Sequence, residues 1–145
     1  MKTIFAFAFL LLTSHAAVIA QTPGAACTRD EAYAAETVTD YLTTWDNVYS
    51  FYKQFKHCYD GAIAEGTQDK VQLLWANRWQ ELPRMLALTG KDAEFKKFIW
   101  VIIDSEAFPQ DTFNKVLAHA TRRCPKEAAE FCKAVKSASR RRHEA

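Results

Sequence analysis

The run Phe95–Ile103, FKKFIWVII, constrains the fold more than any other stretch. Phe95, Phe98, Ile99 and Ile102 follow the i, i+3, i+4, i+7 spacing of one helical face. Trp100, Val101 and Ile103 extend the apolar surface most of the way round, and only Lys96 and Lys97 keep a wet stripe. A helix apolar on nearly every side belongs among other helices. The run falls far short of the ~20 apolar residues that span a bilayer. It predicts the central helix of an all-α bundle.

Residues 1–20 read as a secretory signal peptide. Met1-Lys2 supplies the positive charge, Ile4 to Leu12 the apolar core, and Val18-Ile19-Ala20 a small-residue cleavage site. The apolar core is too short to stay behind as an anchor, so no membrane anchor is expected after leader removal. The implied localisation is periplasmic or secreted. Residues 21–138 form one helical domain, and 139–145 a basic disordered tail. The length supports a single core.

Four cysteines follow the leader: Cys27, Cys58, Cys124 and Cys132. An even number in an exported chain implies two disulfides. With Pro125 at a first helical position, Cys132 would lie about two turns up the next helix, ~10 Å along its axis. Disulfide Cα atoms are usually under ~7 Å apart. Pairing Cys124 with Cys132 is therefore disfavoured. Cys58 is expected to join Cys124 or Cys132, with Cys27 taking the other, stapling the N-terminal half to the last helix.

Thr28 and Glu31 fit a capping box, so the first helix should begin near Arg29, with Tyr33, Val38, Tyr41 and Leu42 as its apolar face. Trp45, Val48, Tyr49, Tyr52 and Phe55 give a stronger second helix, ended by Gly66. Thr67 caps a third, with Val71, Leu74, Trp75 and Trp79 inward. Pro83 kinks or starts a short helix that Gly90 stops, and Asp92 caps the central one. Gln110–Arg123 and a final helix opened by Pro125 complete a single bundle of five to seven helices braced by two disulfides. No stretch alternates long enough to argue a strand.

Recognised site signatures are missing. There is no H-E-x-x-H, no G-x-S-x-G and no Ca²⁺ loop, and four glycines leave little for a phosphate-cradling loop. No cofactor and no metal site are expected. Charge is nearly balanced at 19 Lys+Arg against 17 Asp+Glu. The basic residues Lys133, Lys136, Arg140, Arg141 and Arg142 gather at the end, read as a solvated terminus and not a nucleic-acid contact.

Three weaker constellations remain. His57 and Asp60, three apart, would share a helix face and offer acid–base chemistry or metal ligands beside Cys58. Asp104, Glu106 and Asp111 would serve a small hydrolase if their environments split their pKa values. The surplus of tyrosine and tryptophan offers a binding surface. Within it Tyr49 and Tyr59 fall between the strongest apolar stripes and are the candidate contact residues. His119, mid-helix, is expected to face water.

A leader followed by a small disulfide-stapled helical body is similar to the small periplasmic proteins that neutralise toxins or enzyme effectors in bacteria. The likeness is one of size and compartment, and no residue is carried over from it. The leading expectation is an exported, non-enzymatic module that binds another protein, of the immunity or inhibitor type. The alternatives are a small hydrolase using Asp104, Glu106 or His57, and a carrier of an apolar ligand between aromatic helices.

Overall fold

The computed structural model describes residues 26–144, and the expected leader with its cleavage site lies outside them. Seven α-helices follow: α1 Arg29–Thr39, α2 Trp45–Phe55, α3 Gly61–Asn77, α4 Leu82–Thr89, α5 Ala93–Ile103, α6 Gln110–Arg122 and α7 Ala129–Glu144. Three single 3-10 turns join them, and no strand occurs among the described residues. None of these helices is long and apolar enough to cross a membrane.

Short polar side chains start the helices by satisfying the orphan amides of the first turn. Thr28 accepts from Glu31 N while Glu31 accepts from Thr28 N at 2.9 Å, closing the expected capping box. Thr44 caps α2 through Asn47 N, and Asp92 caps α5 through Glu94 N and Phe95 N at 3.1 and 3.0 Å. Pro83 stands in the first turn of α4, where its missing N–H costs nothing.

The sequence reading ends a helix at Gly66 and begins another at Thr67, but α3 runs unbroken through both. Its true start is Asp60-Gly61. Asp60 accepts from Gly61 N at 2.8 Å, and Gly61 takes the left-handed φ of +48° that glycine tolerates best. Gly66 faces α1 instead: a Cβ there would lie 3.4 Å from Thr39 Oγ1, an ordinary contact distance. Thr67 is buried and donates to the Ile63 carbonyl at 2.7 Å, so it has no capping role.

Trp75 of α3 is the hub of the interior, packed on Trp45, Phe108 and Phe131 with ring centroids 6.2, 6.1 and 5.1 Å away. The α5 face Phe95, Ile99 and Ile102 is fully buried, as its spacing requires. The helix is not apolar-packed all round, however. Val101 is 71 % exposed, and Trp100 is half-buried, edge-on to Phe131, with the Lys96 ammonium 5.1 Å from its ring.

Both disulfides are local, contrary to the expected pairing. Cys27 joins Cys58 with Cα atoms 4.9 Å apart, and Cys124 joins Cys132 at 6.2 Å. The distance that disfavoured Cys124–Cys132 assumed one continuous helix from Pro125. Pro125 is in fact extended (φ −64°, ψ 150°), a 3-10 turn covers Lys126–Ala128, and α7 starts only at Ala129. Cys132 thus sits in the first turn of α7 and folds back over the bend. The bridges brace two corners and leave the halves joined by packing.

Residues 139–144, assigned from sequence to a basic tail, continue α7. Arg141 pairs with Asp104, and the Arg142 guanidinium lies 4.5 Å from the Phe113 ring centre.

Candidate functional site

The surface of interest arises from how α1 docks. Its inward residues, Ala32, Ala35, Val38 and Thr39, are small or short-branched, and Gly66 of α3 faces Thr39. Small residues on both sides let the two backbones run close together at this point. The long α1 side chain Tyr33 points away from this contact. Tyr33 is 56 % exposed and Tyr41, just past the helix end, 70 %; Leu73 of α3 is 38 % exposed on the same seam.

Two open clefts lie along this seam, on either side of the Thr39–Gly66 approach. One, of about 200 Å³, is lined by Arg29, Ala32, Tyr33, Glu36, Asp60 and Ile63. The other, of about 290 Å³, is lined by Leu42, Lys70, Leu73 and Leu74, with Asp40 and Arg78 on its rim. Tyr41 stands between cleft residues Asp40 and Leu42 in the chain. The contacts ascend together, Tyr33 with Ile63, Thr39 with Gly66 and Thr43 with Arg78, so α1 and α3 run in the same direction.

The charges along the seam are unevenly engaged. Arg29 lies over the Tyr33 ring, 5.4 Å from its centre, and donates to its hydroxyl at 3.2 Å. Arg78 pairs with Glu81 at 2.6 Å and donates to the Thr43 carbonyl at 3.0 Å. Glu36, Asp40 and Asp60 on the acidic side, and Arg29 and Lys70 on the basic side, have no ion-pair partner among the described residues.

Tyr49 and Tyr59, the candidates from sequence, lie on a different side, half-buried against α5. The Tyr49 ring meets Phe95 edge-on at 4.9 Å, and its hydroxyl donates to Asp92 Oδ2 at 3.3 Å. Tyr59 packs edge-on to Phe98 at 4.8 Å, and burial pushes its phenol above the ordinary tyrosine value. Asp92 is held below the usual carboxylate range, first by the Phe95 amide and then by Lys53 and Tyr49.

The proposed catalytic groups are not brought together. Asp104 is exposed and paired with Arg141, while Glu106 and Asp111 are exposed in and after the α5–α6 turn. Neither described cleft includes any of them. His57 and Asp60 do not share a helix face, because His57 lies inside the 3-10 turn Lys56–Cys58 and Asp60 caps α3. His57 Nε2 instead lies 3.3 Å from Glu31 Oε1, a contact without hydrogen-bond alignment. Glu31 is held below its ordinary value, chiefly by the Thr28 amide.

Glu31, His57 and Cys58 approach within 4.8 Å of one another, a spacing that suits a metal. The Cys58 sulfur is bonded to Cys27, so it cannot supply the thiolate such a site needs. His119 does not face water alone, as its ring stacks on Trp79 at 5.2 Å and its Nε2 lies 3.2 Å from the Ala76 carbonyl.

Tyr33 and Leu73 were not singled out by sequence reasoning; Tyr41 belonged to the aromatic surplus read as a binding surface, and both tyrosines were placed on the apolar face of the first helix. The available signal was the alternative face Ala32, Ala35 and Thr39, whose small residues suit close helix packing. The chain matches no known family model, and no curated protein or solved structure matches it either.

Proposed function

We propose that this protein is an exported, non-enzymatic module of the immunity or inhibitor type, and that it binds another protein through the α1–α3 seam. The carrying observation is the exposure of Tyr33 on the seam and of Tyr41 just past the end of α1, while the other large aromatics are buried or half-buried. Tyrosine contributes large contact area at low entropic cost, which is why it concentrates at binding hot spots. The hydrolase reading has less support, since its carboxylates lie apart and one is tied to an arginine. The carrier reading needs an enclosed apolar chamber, whereas both described clefts are open to solvent.

The test compares the mature protein with a Tyr33→Ala/Tyr41→Ala variant as immobilised baits in extract from the producing cells. Neither ring is buried, so the variant should melt within ~0.5 kcal/mol of the parent. A protein retained by the parent and lost by the equally stable variant supports the reading. Identical capture by both overturns it.

A further inference from the structure

We propose that reduction of the Cys27–Cys58 disulfide opens a zinc site, in which the two thiolates join the imidazole of His57 and the carboxylate of Glu31.

The nitrogen and oxygen donors already stand where a shared cation needs them. Such ligands, about 2.0–2.1 Å from a tetrahedral Zn²⁺, lie about 3.3–3.4 Å from each other. His57 Nε2 and Glu31 Oε1 are 3.3 Å apart. The same nitrogen is buried and makes no hydrogen bond among the described residues, so Oε1 lies off the axis along which the ring would donate. An oxygen off that axis is badly placed to accept a hydrogen bond and well placed to share a metal with the ring. Glu31 is held in this pose from behind. Its Oε2 accepts from the Thr28 amide at 2.9 Å and the Thr28 hydroxyl at 2.8 Å, which leaves Oε1 to face the histidine. Outer hydrogen bonds of this kind orient the ligands of metal sites.

The sulfur donors are present but closed. Cys58 Sγ lies within 4.8 Å of the His57 and Glu31 ligand atoms, and Cys27 Sγ is bonded to it. The donors converge from the lead-in to α1, the first turn of α1 and the 3-10 turn before α3. Two thiolates, an imidazole and a carboxylate make a zinc set, whereas calcium and magnesium take oxygen ligands. Cys58 is buried, while His57 and Glu31 keep exposed edges through which an ion can enter. Cys124–Cys132 belongs to no comparable group among the described residues.

The gating step is a two-electron exchange. A dithiol reductant gives up two electrons and two protons, its own sulfurs join, and the Cys27–Cys58 bond parts into two thiols. Zn²⁺ then displaces both thiol protons and forms two Zn–S bonds. The metal replaces the lost crosslink, so the start of α1 stays tied to the turn before α3 in either redox state. In an oxidising compartment the bridge holds and the site is shut. A plain His57–Glu31 ion pair is the competing account of the 3.3 Å approach, and it calls for no metal in either state.

The experiment takes the full mature protein, reduced with a water-soluble phosphine and freed of metal. Titration with Co²⁺ as a spectroscopic stand-in should give, at one equivalent, the thiolate charge-transfer and visible bands of a tetrahedral site, which Zn²⁺ then bleaches. The unreduced protein should give neither. Far-ultraviolet circular dichroism should show the reduced protein helical with Zn²⁺ bound, and its melting temperature should rise with the metal. Zn²⁺ should shield Cys27 and Cys58 from iodoacetamide, read by peptide mass, and leave Cys124 and Cys132 unshielded. His57→Ala should weaken Zn²⁺ at least about tenfold, and so should Glu31→Gln, which keeps the capping box.

Absence of tetrahedral cobalt bands in the reduced protein, equal binding without reductant, shielding spread over all four cysteines, or unchanged affinity in either variant each overturns the proposal. So does a reduced protein that stays unfolded with Zn²⁺ present. The binding role of the α1–α3 seam is tested separately, since neither Tyr33 nor Tyr41 supplies a ligand.

Discussion

Removing the two disulfides one at a time should give unequal losses, with a size set by the loops they close. In the chain-entropy model the crosslink penalty on the unfolded state grows with the logarithm of loop length. The Cys124–Cys132 bridge spans a sequence separation of 8 and Cys27–Cys58 one of 31. The model assigns them about 2.5 and about 3.7 kcal/mol respectively. Each pair has one buried and one half-buried sulfur, so the side-chain term nearly cancels in the difference. Urea unfolding followed by tryptophan fluorescence should rank Cys27→Ala/Cys58→Ala below Cys124→Ala/Cys132→Ala by about 1.2 kcal/mol. Neither double variant should show a free thiol when unfolded without reductant. Under the crossed pairing each double variant loses one end of both bridges, and each bridge closes a loop worth about 4.4 kcal/mol or more. Equal stabilities together with two free thiols in each variant would refute local pairing.

In the core, Phe95→Ala should cost ~3–5 kcal/mol, because the ring is fully buried. Trp100→Ala should cost clearly less, and a larger loss for Trp100 in the same urea series would contradict its half-buried position. Gly66→Ala should stabilise by up to ~1 kcal/mol, since the new Cβ meets only Thr39 at ordinary contact distance. Gly61→Ala should destabilise by ~1 kcal/mol or more because of its positive φ; thermal melts with the order reversed would count against the α3 start. Glu31 and Asp92 have folded pKa values below their unfolded ones, so their stabilisation is present above about pH 4 and lost as pH falls through the lower folded values. Asp92→Asn keeps a capping side chain but removes the titration, and should flatten the acid limb of the stability profile; an unchanged limb would remove Asp92 from the account.

Much of the fold was legible because strong local chemistry agreed with the tertiary structure. Thr28 with Glu31, Asp92 ahead of Phe95, and Pro83 in a first turn all report their helix starts without help from the rest of the chain. The inward faces of α2, α3 and α6 follow their spacing. Two of the failures, at Gly66 and at the exposed tyrosines, turn on packing against an element distant in sequence, and the third on a local backbone choice. Gly66 resembles a helix stop until Thr39 arrives beside it. The Cys124–Cys132 bridge depends on Pro125 staying extended, a backbone choice that proline at a helix start does not reveal. Tyr33 and Tyr41 look like core residues at helical spacing, yet α1 turns its Ala35 and Thr39 side inward and leaves both rings exposed. Tyr is amphipathic, so periodicity alone does not say which side of a helix claims it. The seam emerged only with the packing.

Site-specific photocrosslinking addresses the binding surface most directly. A benzophenone amino acid is placed at Tyr33 or at Tyr41, and at Val101 as a control that is equally exposed but on α5. Each variant is expressed in the native cells and irradiated there. The account predicts one discrete heavier adduct from the Tyr33 and Tyr41 positions, containing a second protein, and none from Val101. An adduct from Val101 with none from either tyrosine position would contradict it.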